Sequence, residues 1–550
     1  MQKMINSLHP LRNGDDQMVL IHLQNIYYDV NDRRLFHIDE LKIHKGDRIG
    51  LVGRNGSGKT TLLQLIAGEK TPTSGTVKTN ASVALLPQLK PQIEKKSGGE
   101  SAQAIIHQTL SLNPEILLAD EPTTHLDLEH TEKLEQKLKQ WRETMVIVSH
   151  DRTFLDALCN QIWEIENGKI SVYKGNYSQY EQQKEAARSH HKKEYKKYIQ
   201  KKKQLEEALQ LKEQQAQRAV RKPKQVSPKE AKIIGAKPYF AKKQKKLHQS
   251  VKAIQKRIEQ LDKVEKIKEL PPIKMKVVHE DSLRNRMIIR GEQVSGKVGN
   301  RLLWREFDFT IAGGDKVALI GPNGSGKTTF LQMLMNGTKE IYVSPAVTFG
   351  YFSQTLDVLD VNASIFDNVR KYSPQDQTLI RIVLARLGFF REDVFKPVHV
   401  LSGGERVKVA LAKLLLSKAN VLVLDEPTNY LDIPSVEALE SLLKEYSGTV
   451  IFASHDRRFL KNIATRIFAI NNKQIHSFDG SYQAYIEMKT KKEHHPLQDE
   501  LLKVDINISE VLSQLSIAPS EELEQKFAKL LEKKKEIEQR LKQQTDYNLE

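Results

Sequence analysis

Short, wholly apolar runs recur along the chain in a fixed order. Ile49 to Val52 and Val317 to Ile320 each lead into a glycine-rich turn. Ile116 to Ala119 and Val421 to Leu424 each end on an acidic pair, and Val146 to Val148 and Val450 to Ala453 each lead into Ser-His-Asp. Runs without polar alternation fit strands buried on both faces, as in a parallel sheet whose crossover helices cover both sides. The pattern predicts an α/β fold with mainly parallel sheets.

A helical period governs the middle and the end. Leu247, Val251, Ile254, Ile258 and Leu261 recur at spacings of 4 and 3, the seam of a coiled coil. Tyr195, Tyr198, Lys202, Leu205 and Leu209 form a looser stripe upstream. The spacing predicts helices from 186 to about 220 and from about 241 to 270, an antiparallel hairpin. Between them, 221–240 holds Pro223, Pro228, Gly235 and Pro238, which break helices, so the hairpin tip is read as a long loop. The tail 496–545 carries Leu501, Ile508, Leu512 and Leu515, then Leu523, Phe527, Leu530, Ile537 and Leu541, one or two amphipathic helices.

The order of elements occurs twice. GRNGSGKTTLLQL at 53–65 returns as GPNGSGKTTFLQM at 321–333, and LLADEPTTHLD at 117–127 as LVLDEPTNYLD at 422–432. IVSHDRTFLDALC at 147–159 returns as FASHDRRFLKNIA at 452–464. From SGGE to the acidic pair is 23 residues in both halves, and from that Asp to the His is 30. One stretch breaks the symmetry: Gln88 to Ser97 spans 9 residues, Gln354 to Ser402 spans 48. The first half lacks most of that subdomain, which looks helical near Thr378 to Phe390 in the second.

Composition narrows the partners. A chain of 550 residues exceeds a single core. It has no apolar run of membrane-spanning length, and its start at 1–18 has no signal-peptide core. The single cysteine, Cys159, excludes an intramolecular disulfide and a cysteine-rich zinc site; a cytoplasmic location is expected. The formal charge is +17. Residues 186–276 hold 28 Lys and Arg against 9 Asp and Glu, so the excess sits in the linker and the rest is near neutral. A spacer needs no such charge. Basic side chains interleaved with apolar Ile233, Ile234, Tyr239 and Phe240 suit folded RNA.

The repeated motifs carry phosphate chemistry. GxxxxGK[ST] is met by Gly53, Gly58, Lys59 and Thr60 and by Gly321, Gly326, Lys327 and Thr328. Within these loops Asn55, Gly56 and Ser57, and Asn323, Gly324 and Ser325, turn backbone N–H groups inward; Thr61 and Thr329 continue into the helix. The lysines reach phosphates and the threonine hydroxyls of Thr60 and Thr328 reach Mg²⁺. Asp120 and Asp425 end strands, where a carboxylate holds Mg²⁺ partly through water. Glu121 and Glu426 are placed to polarise the attacking water, and His150 and His455 to contact it and the γ-phosphate. A lone match of any of these is often structural; two copies at equal offsets are not.

Ser97-Gly98-Gly99-Glu100 and Ser402-Gly403-Gly404-Glu405 complete a resemblance to ATP-binding cassettes. The resemblance implies that each signature closes over ATP held by the other half, a sandwich within one monomeric chain. One site then uses Lys59, Thr60, Gln88, Asp120, Glu121 and His150 with Ser402 to Gly404. The other uses Lys327, Thr328, Gln354, Asp425, Glu426 and His455 with Ser97 to Gly99, and both glutamines join the Mg²⁺ set. Tyr28 is either the residue that stacks adenine or part of the core. Lys96 stands where the second half has Leu401.

Two cassettes joined by a basic hairpin, with no membrane domain, resemble the F subfamily of these proteins, which act on ribosomes. The domains expected are a leader at 1–18, cassettes at 19–185 and 277–490, a linker at 186–276 with tip loop 221–240, and a helical C-terminal extension at 491–550. The short first cassette, GAKPYFAKKQKKL at 235–247 and LSIAPSEELEQKF at 515–527 resemble the Vga-type antibiotic-resistance members. That resemblance implies binding at the exit site of the bacterial ribosome in the ATP state, in contact with rRNA and tRNA. The linker then reaches toward the peptidyl-transferase centre and displaces lincosamides, pleuromutilins and group A streptogramins. A housekeeping translation factor of the same subfamily is the alternative. A transporter ATPase needs the helical docking surface that the first half lacks, and a chromosome-type ATPase has a longer coil splitting one cassette.

Overall fold

The computed structural model describes residues 18–30, 33–86, 105–106, 108–124, 126–220, 236–264, 275, 283–353, 358–493, 501, 504–505, 507–509, 511–512 and 521–547. These form two compact units. The first draws on 1–87, 112–120 and 139–272, the second on 88–111, 121–138 and 273–550.

In the first unit, six strands form a mixed sheet in the order Val83–Leu86, Ile116–Asp120, Thr144–Val148, Arg48–Gly53, Gln161–Glu166 and Lys169–Lys174. All neighbours run parallel except the last pair. A second, antiparallel sheet has Val19–Val30 between Arg33–His44 and Ser74–Thr79. Between the sheets lies a core around Trp163, Phe36, Leu62 and Leu63, all under 2 % exposed.

The second unit repeats the order: Phe349–Phe352, Val421–Asp425, Thr449–Ala453, Lys316–Ile320, Arg466–Asn471 and Gln474–Asp479. Along Val421–Asp425 the side chains alternate between two cores. Val421 and Val423 join the core of Trp304, Phe330 and Phe468; Leu422 and Leu424 join the core on the other face. The strand is covered on both sides, which is why its sequence shows no polar alternation. The stretch absent from the first half folds as Ile365–Arg370, Gln377–Arg386 and two short 3₁₀ turns, and it leads into the signature helix Gly403–Leu415.

The linker helices are displaced from the sequence expectation. The first runs Tyr177–Val220, starting well before 186, and the second runs Ala236–Glu259, ending before 270. They pack on each other. The second helix takes in Pro238, Tyr239 and Phe240, which had been read as tip loop. Pro238 lies in its first turn, where a missing N–H costs no helical hydrogen bond. On the seam Val251 is buried, and Leu247, Ile254, Ile258 and Leu261 are half-buried among mostly exposed neighbours. In the extension, Glu521–Tyr547 is one helix with Ile537 buried. Val504 and Val511 are also buried, and Lys534 of the helix pairs with Asp505 at 2.8 Å; Leu512, assigned to the inner stripe, is 45 % exposed. The leader before Met18, the tip at 221–235 with Ile233 and Ile234, and Leu515 lie outside the described residues.

Phe468, fully buried, meets Phe307, Phe309 and Phe330 at ring distances of 5.3, 5.7 and 6.1 Å. Phe468→Ala should cost about 3–5 kcal/mol of the second unit's stability. Leu211→Ala, at a position 55 % exposed, should stay within about 0.5 kcal/mol. Denaturant unfolding followed by circular dichroism measures both.

Candidate active site

Each glycine-rich turn connects a central strand to a helix, and the two copies match closely. Gly58 and Gly326 cap the helices in the left-handed region at φ +98° and +99°. A Cβ would also strike Leu35 at 2.8 Å at the first and Trp304 at 2.5 Å at the second. These positions require glycine for both reasons. The next residues, Lys59 and Lys327, are each 8 % exposed. Lys59 Nζ donates to the Gly53 and Arg54 carbonyls at 2.9 and 3.2 Å; Lys327 Nζ donates to those of Gly321 and Pro322 at 3.0 and 3.2 Å. Both ammonium groups thus fold back over their own loop. Ser57 Oγ and Ser325 Oγ are buried with no hydrogen-bond partner among the described residues, and the space beside Gly56 and Gly324 is open. A loop of N–H groups with orphaned hydroxyls, a lysine and a helix N-terminus fits a phosphate chain.

Asp120 and Asp425 end their strands, 4 % and 5 % exposed. Thr328 Oγ1 donates to Asp425 Oδ2 at 2.7 Å. This oxygen pair fits a hard divalent cation that takes its remaining ligands from phosphate and water. The next residues, Glu121 and Glu426, are forced into the left-handed region at φ +52° and +48°. A non-glycine residue there is strained, a condition found at functional sites. The Glu426 N–H donates to the Ala453 carbonyl at 3.0 Å and holds the turn. Asp151 and Asp456 cap the helices that follow the histidines, Asp151 accepting from Thr153 and Phe154 and Asp456 from Arg458 and Phe459. The histidines thus sit between the strand ends at Val148 and Ala453 and these caps.

In the second unit, His455 Nε2 stands 3.3 Å from Glu426 Oε1. Burial pushes the Glu426 carboxyl up to about 7, against the pull of Lys327. Burial, helped by Lys327, pushes His455 down to about 3. The same desolvation lowers Lys327 and raises Asp425. The histidine is therefore neutral near pH 7 while the glutamate titrates there, so Glu426 can take a proton and His455 can accept or donate a hydrogen bond.

Sequence reasoning missed two further groups here. Asp127 and Glu135 belong to the second unit. Asp127 Oδ2 accepts from the Asn323 N–H at 3.0 Å, and its Oδ1 accepts from the His130 N–H and faces His130 Nδ1 at 2.6 Å. Although burial opposes it, these hydrogen bonds hold Asp127 below the usual carboxylate range. Glu135 pairs with Arg457, two residues after His455, at 2.8 Å. The repeated Leu-Asp at 126–127 and 431–432 was the available signal for the first. Tyr28 lies opposite Phe36 and stacks on it at 5.7 Å, partly buried against the first core. Ser402 opens its helix with a reciprocal cap: it accepts from the Glu405 N–H, and Glu405 accepts from the Ser402 N–H at 2.9 Å. Gln88, Ser97, Gly98, Gly99 and Gln354 lie outside the described residues.

The family model described as ABC transporter matches residues 36–96 and 304–429. The "Ribosome protection protein VmlR" of Bacillus subtilis is 32% identical, over 94% of this chain and 98% of that protein. The "Erythromycin resistance ATP-binding protein MsrA" of Staphylococcus epidermidis is 34% identical, over 83% of this chain and 98% of that protein. Among solved structures, an "RNase-L Inhibitor" superposes with a TM-score of 0.56 at 17% identity, covering 85% of this chain and 93% of its own; that likeness concerns the fold alone. No helix among the described residues is long and apolar enough to cross a membrane.

Glu426, pushed up to about 7, is protonated below that value and a carboxylate above it. In a Glu121→Gln background, kcat/KM for ATP should rise as pH goes from about 6 to 8, since this parameter reports the free enzyme. His455, pushed down to about 3, adds no limb in that range. Steady-state phosphate release across pH measures this, and a flat profile would exclude Glu426 as the titrating base.

Proposed function

The chain belongs to the ABC-F family of ATP-binding-cassette ATPases, and we propose that it protects the bacterial ribosome from antibiotics in an ATP-dependent cycle. The observation that carries this reading is alignment with a ribosome protection protein over 94% of this chain, linker included. In this reading the protein is cytoplasmic and binds the ribosomal exit site with ATP held between its cassettes. The basic linker lies along rRNA and tRNA phosphates, contacts that position without reading sequence. A helix of 44 residues rises about 65 Å at 1.5 Å per residue, enough to bring the tip near the peptidyl-transferase centre. The tip then displaces lincosamides, pleuromutilins or group A streptogramins, as in the Vga-type members.

At the sites, Lys59 and Lys327 and the N–H groups of residues 53–58 and 321–326 bind the phosphates. Thr60, Gln88 and Asp120, and Thr328, Gln354 and Asp425, hold Mg²⁺, which would neutralise phosphate charge when bound. Glu121 and Glu426 accept the proton of the attacking water, oriented by His150 and His455. Ser97 to Gly99 and Ser402 to Gly404 close the sites, and Tyr28 stacks adenine in the first. The fit of these roles to the geometry rests on the buried lysines, the Thr328–Asp425 bond and the raised Glu426.

Glu121→Gln with Glu426→Gln should retain ATP binding and lower turnover by at least about 100-fold, the scale of lost acid–base catalysis. The same variant should co-sediment with ribosomes in ATP, because release follows hydrolysis. Wild-type turnover would reject the assignment of the glutamates; lost turnover without ribosome association would reject the ribosome reading.

Replacing 221–240 with a short Gly-Ser turn should leave basal ATP turnover intact and abolish resistance. The measurement is growth of a drug-sensitive bacterial host on a lincosamide and a pleuromutilin, with protein abundance confirmed. Undiminished resistance would remove the tip as effector. Absence of resistance even for the unaltered chain would favour the housekeeping translation factor.

A further inference from the structure

The first linker helix is tied to the strand and the helix that flank the first phosphate loop and His150, through Glu164 and Asp156, two carboxylates that the second repeat replaces. Glu164 lies on the strand Gln161–Glu166, in parallel register with the strand that ends in the phosphate loop: Val52 faces Glu164 and Gly53 faces Ile165. Contact there is tight, since a Cβ on Gly53 would stand 2.7 Å from the Ile165 carbonyl oxygen. The Glu164 side chain is only 9% exposed. Its carboxylate takes the Lys184 ammonium, and burial together with its charge holds the Tyr173 and Tyr180 hydroxyls above their ordinary range. Lys184 and Tyr180 both belong to the helix Tyr177–Val220. A second tie reaches the helix Arg152–Leu158, which follows His150: Asp156 Oδ1 accepts from the Ser178 N–H at 2.7 Å.

The second repeat provides an internal control. The rings recur as Phe478, Tyr482 and Tyr485, packed at 5.8 and 6.5 Å. Where the first repeat has Glu164 and Asp156, the second has Ala469 and Lys461, and Phe478 lacks the Tyr173 hydroxyl. Yet its helix Tyr482–Glu493 docks on the same sheet position, with Tyr482 6% exposed. A helix is thus seated at this position without carboxylates at the places of Glu164 and Asp156. The carboxylates occur only where the helix continues for 44 residues into the linker. Glu164 is buried and Asp156 partly buried; the joint is stiff chiefly at Glu164, where breaking the tie leaves a buried charge without its partner.

We propose that Glu164 and Asp156 are coupling residues that carry nucleotide-dependent movement of the first phosphate loop and the His150 segment into the linker helix. This goes beyond the ribosome reading and requires only that the cassettes bind ATP. The binding of a γ-phosphate by the loop shifts the strand and helix that flank it, and the two ties oblige the start of the linker helix to follow. In the second repeat nothing needs to follow.

The test uses the full-length chain carrying Asp156→Lys, Glu164→Ala and Tyr173→Phe, which are the residues that the second repeat tolerates. Amide hydrogen exchange of 177–220 is measured with and without Mg²⁺ and a non-hydrolysable ATP analogue. The unaltered chain should show a nucleotide-dependent difference, and the triple variant one at least about fivefold smaller. Basal ATP turnover should stay within about twofold of the unaltered chain. Should the triple variant not fold, Glu164→Gln, which keeps the volume and removes the charge, takes its place. An exchange difference that survives in the variant, or is missing in the unaltered chain, overturns the proposal. So does a loss of turnover in step with a loss of thermal stability, which would mark the ties as structural.

Discussion

At the second site an ammonium, two carboxylates and an imidazole share a space from which water is nearly excluded. Lys327 is 8% exposed, Asp425 5% and Glu426 8%. Charges in such a place are stable only if each finds partners. The fold supplies those partners sparingly. Lys327 bends back onto two loop carbonyls, Thr328 donates to Asp425, and His455 is kept neutral beside Glu426. The cost of burial appears as a raised Glu426 and a lowered Lys327. A ligand that carries phosphate charge together with its cation satisfies both ends of the cluster at once. A binding site of this kind is ready for ATP because it is poorly satisfied by itself.

Such a cluster requires a rigid support. All its members leave the same edge of a six-stranded sheet, where Asp425 ends one strand, His455 follows the next and Lys327 follows the loop after the third. Ligands of open α/β sheets bind at this edge, outside the carboxyl ends of the strands. The central strands cannot shift easily, because Val421 and Val423 pack into one core and Leu422 and Leu424 into the other. The left-handed backbone at Glu426 persists because its N–H is tied to Ala453 on the neighbouring strand. Folding energy gathered over two cores thus holds one residue in a conformation it would not choose alone.

The parts of this arrangement that were legible in the sequence are those with a rigid spacing rule. Phosphate loops show their glycines, and doubly buried strands show unbroken apolar runs such as Val421 to Leu424. The three-stranded antiparallel sheet centred on Val19–Val30 escaped notice, because VLIHLQNIYYDV mixes polar and apolar residues and belongs to no motif. Pro238 read as a helix breaker, since its place in a first turn depends on where the helix begins. Val504 and Val511 were passed over for Leu512, because the phase of a short helix is fixed by what it packs on. Asp127 was hidden in plain view: its reach to the Asn323 N–H is a tertiary fact with no local signature.

Comparing the two repeats separates what hydrolysis demands from what this chain does with it. Lysine, threonine, the strained glutamate and the histidine appear in both, the two glutamates at φ values within a few degrees of each other. Differences gather elsewhere. The stretch before the signature is short in the first half and a multi-helix subdomain in the second. Glu164 and Asp156 give way to Ala469 and Lys461. A buried carboxylate is costly to keep and simple to replace by alanine when packing alone is at stake, as Ala469 demonstrates on the equivalent strand of the second unit's sheet. Its presence beside the helix that continues into the linker therefore points to a transmitted force and not to a packing requirement. On this argument the first repeat is specialised for output and the second carries the fuller helical subdomain, although both contain the same phosphate-binding elements.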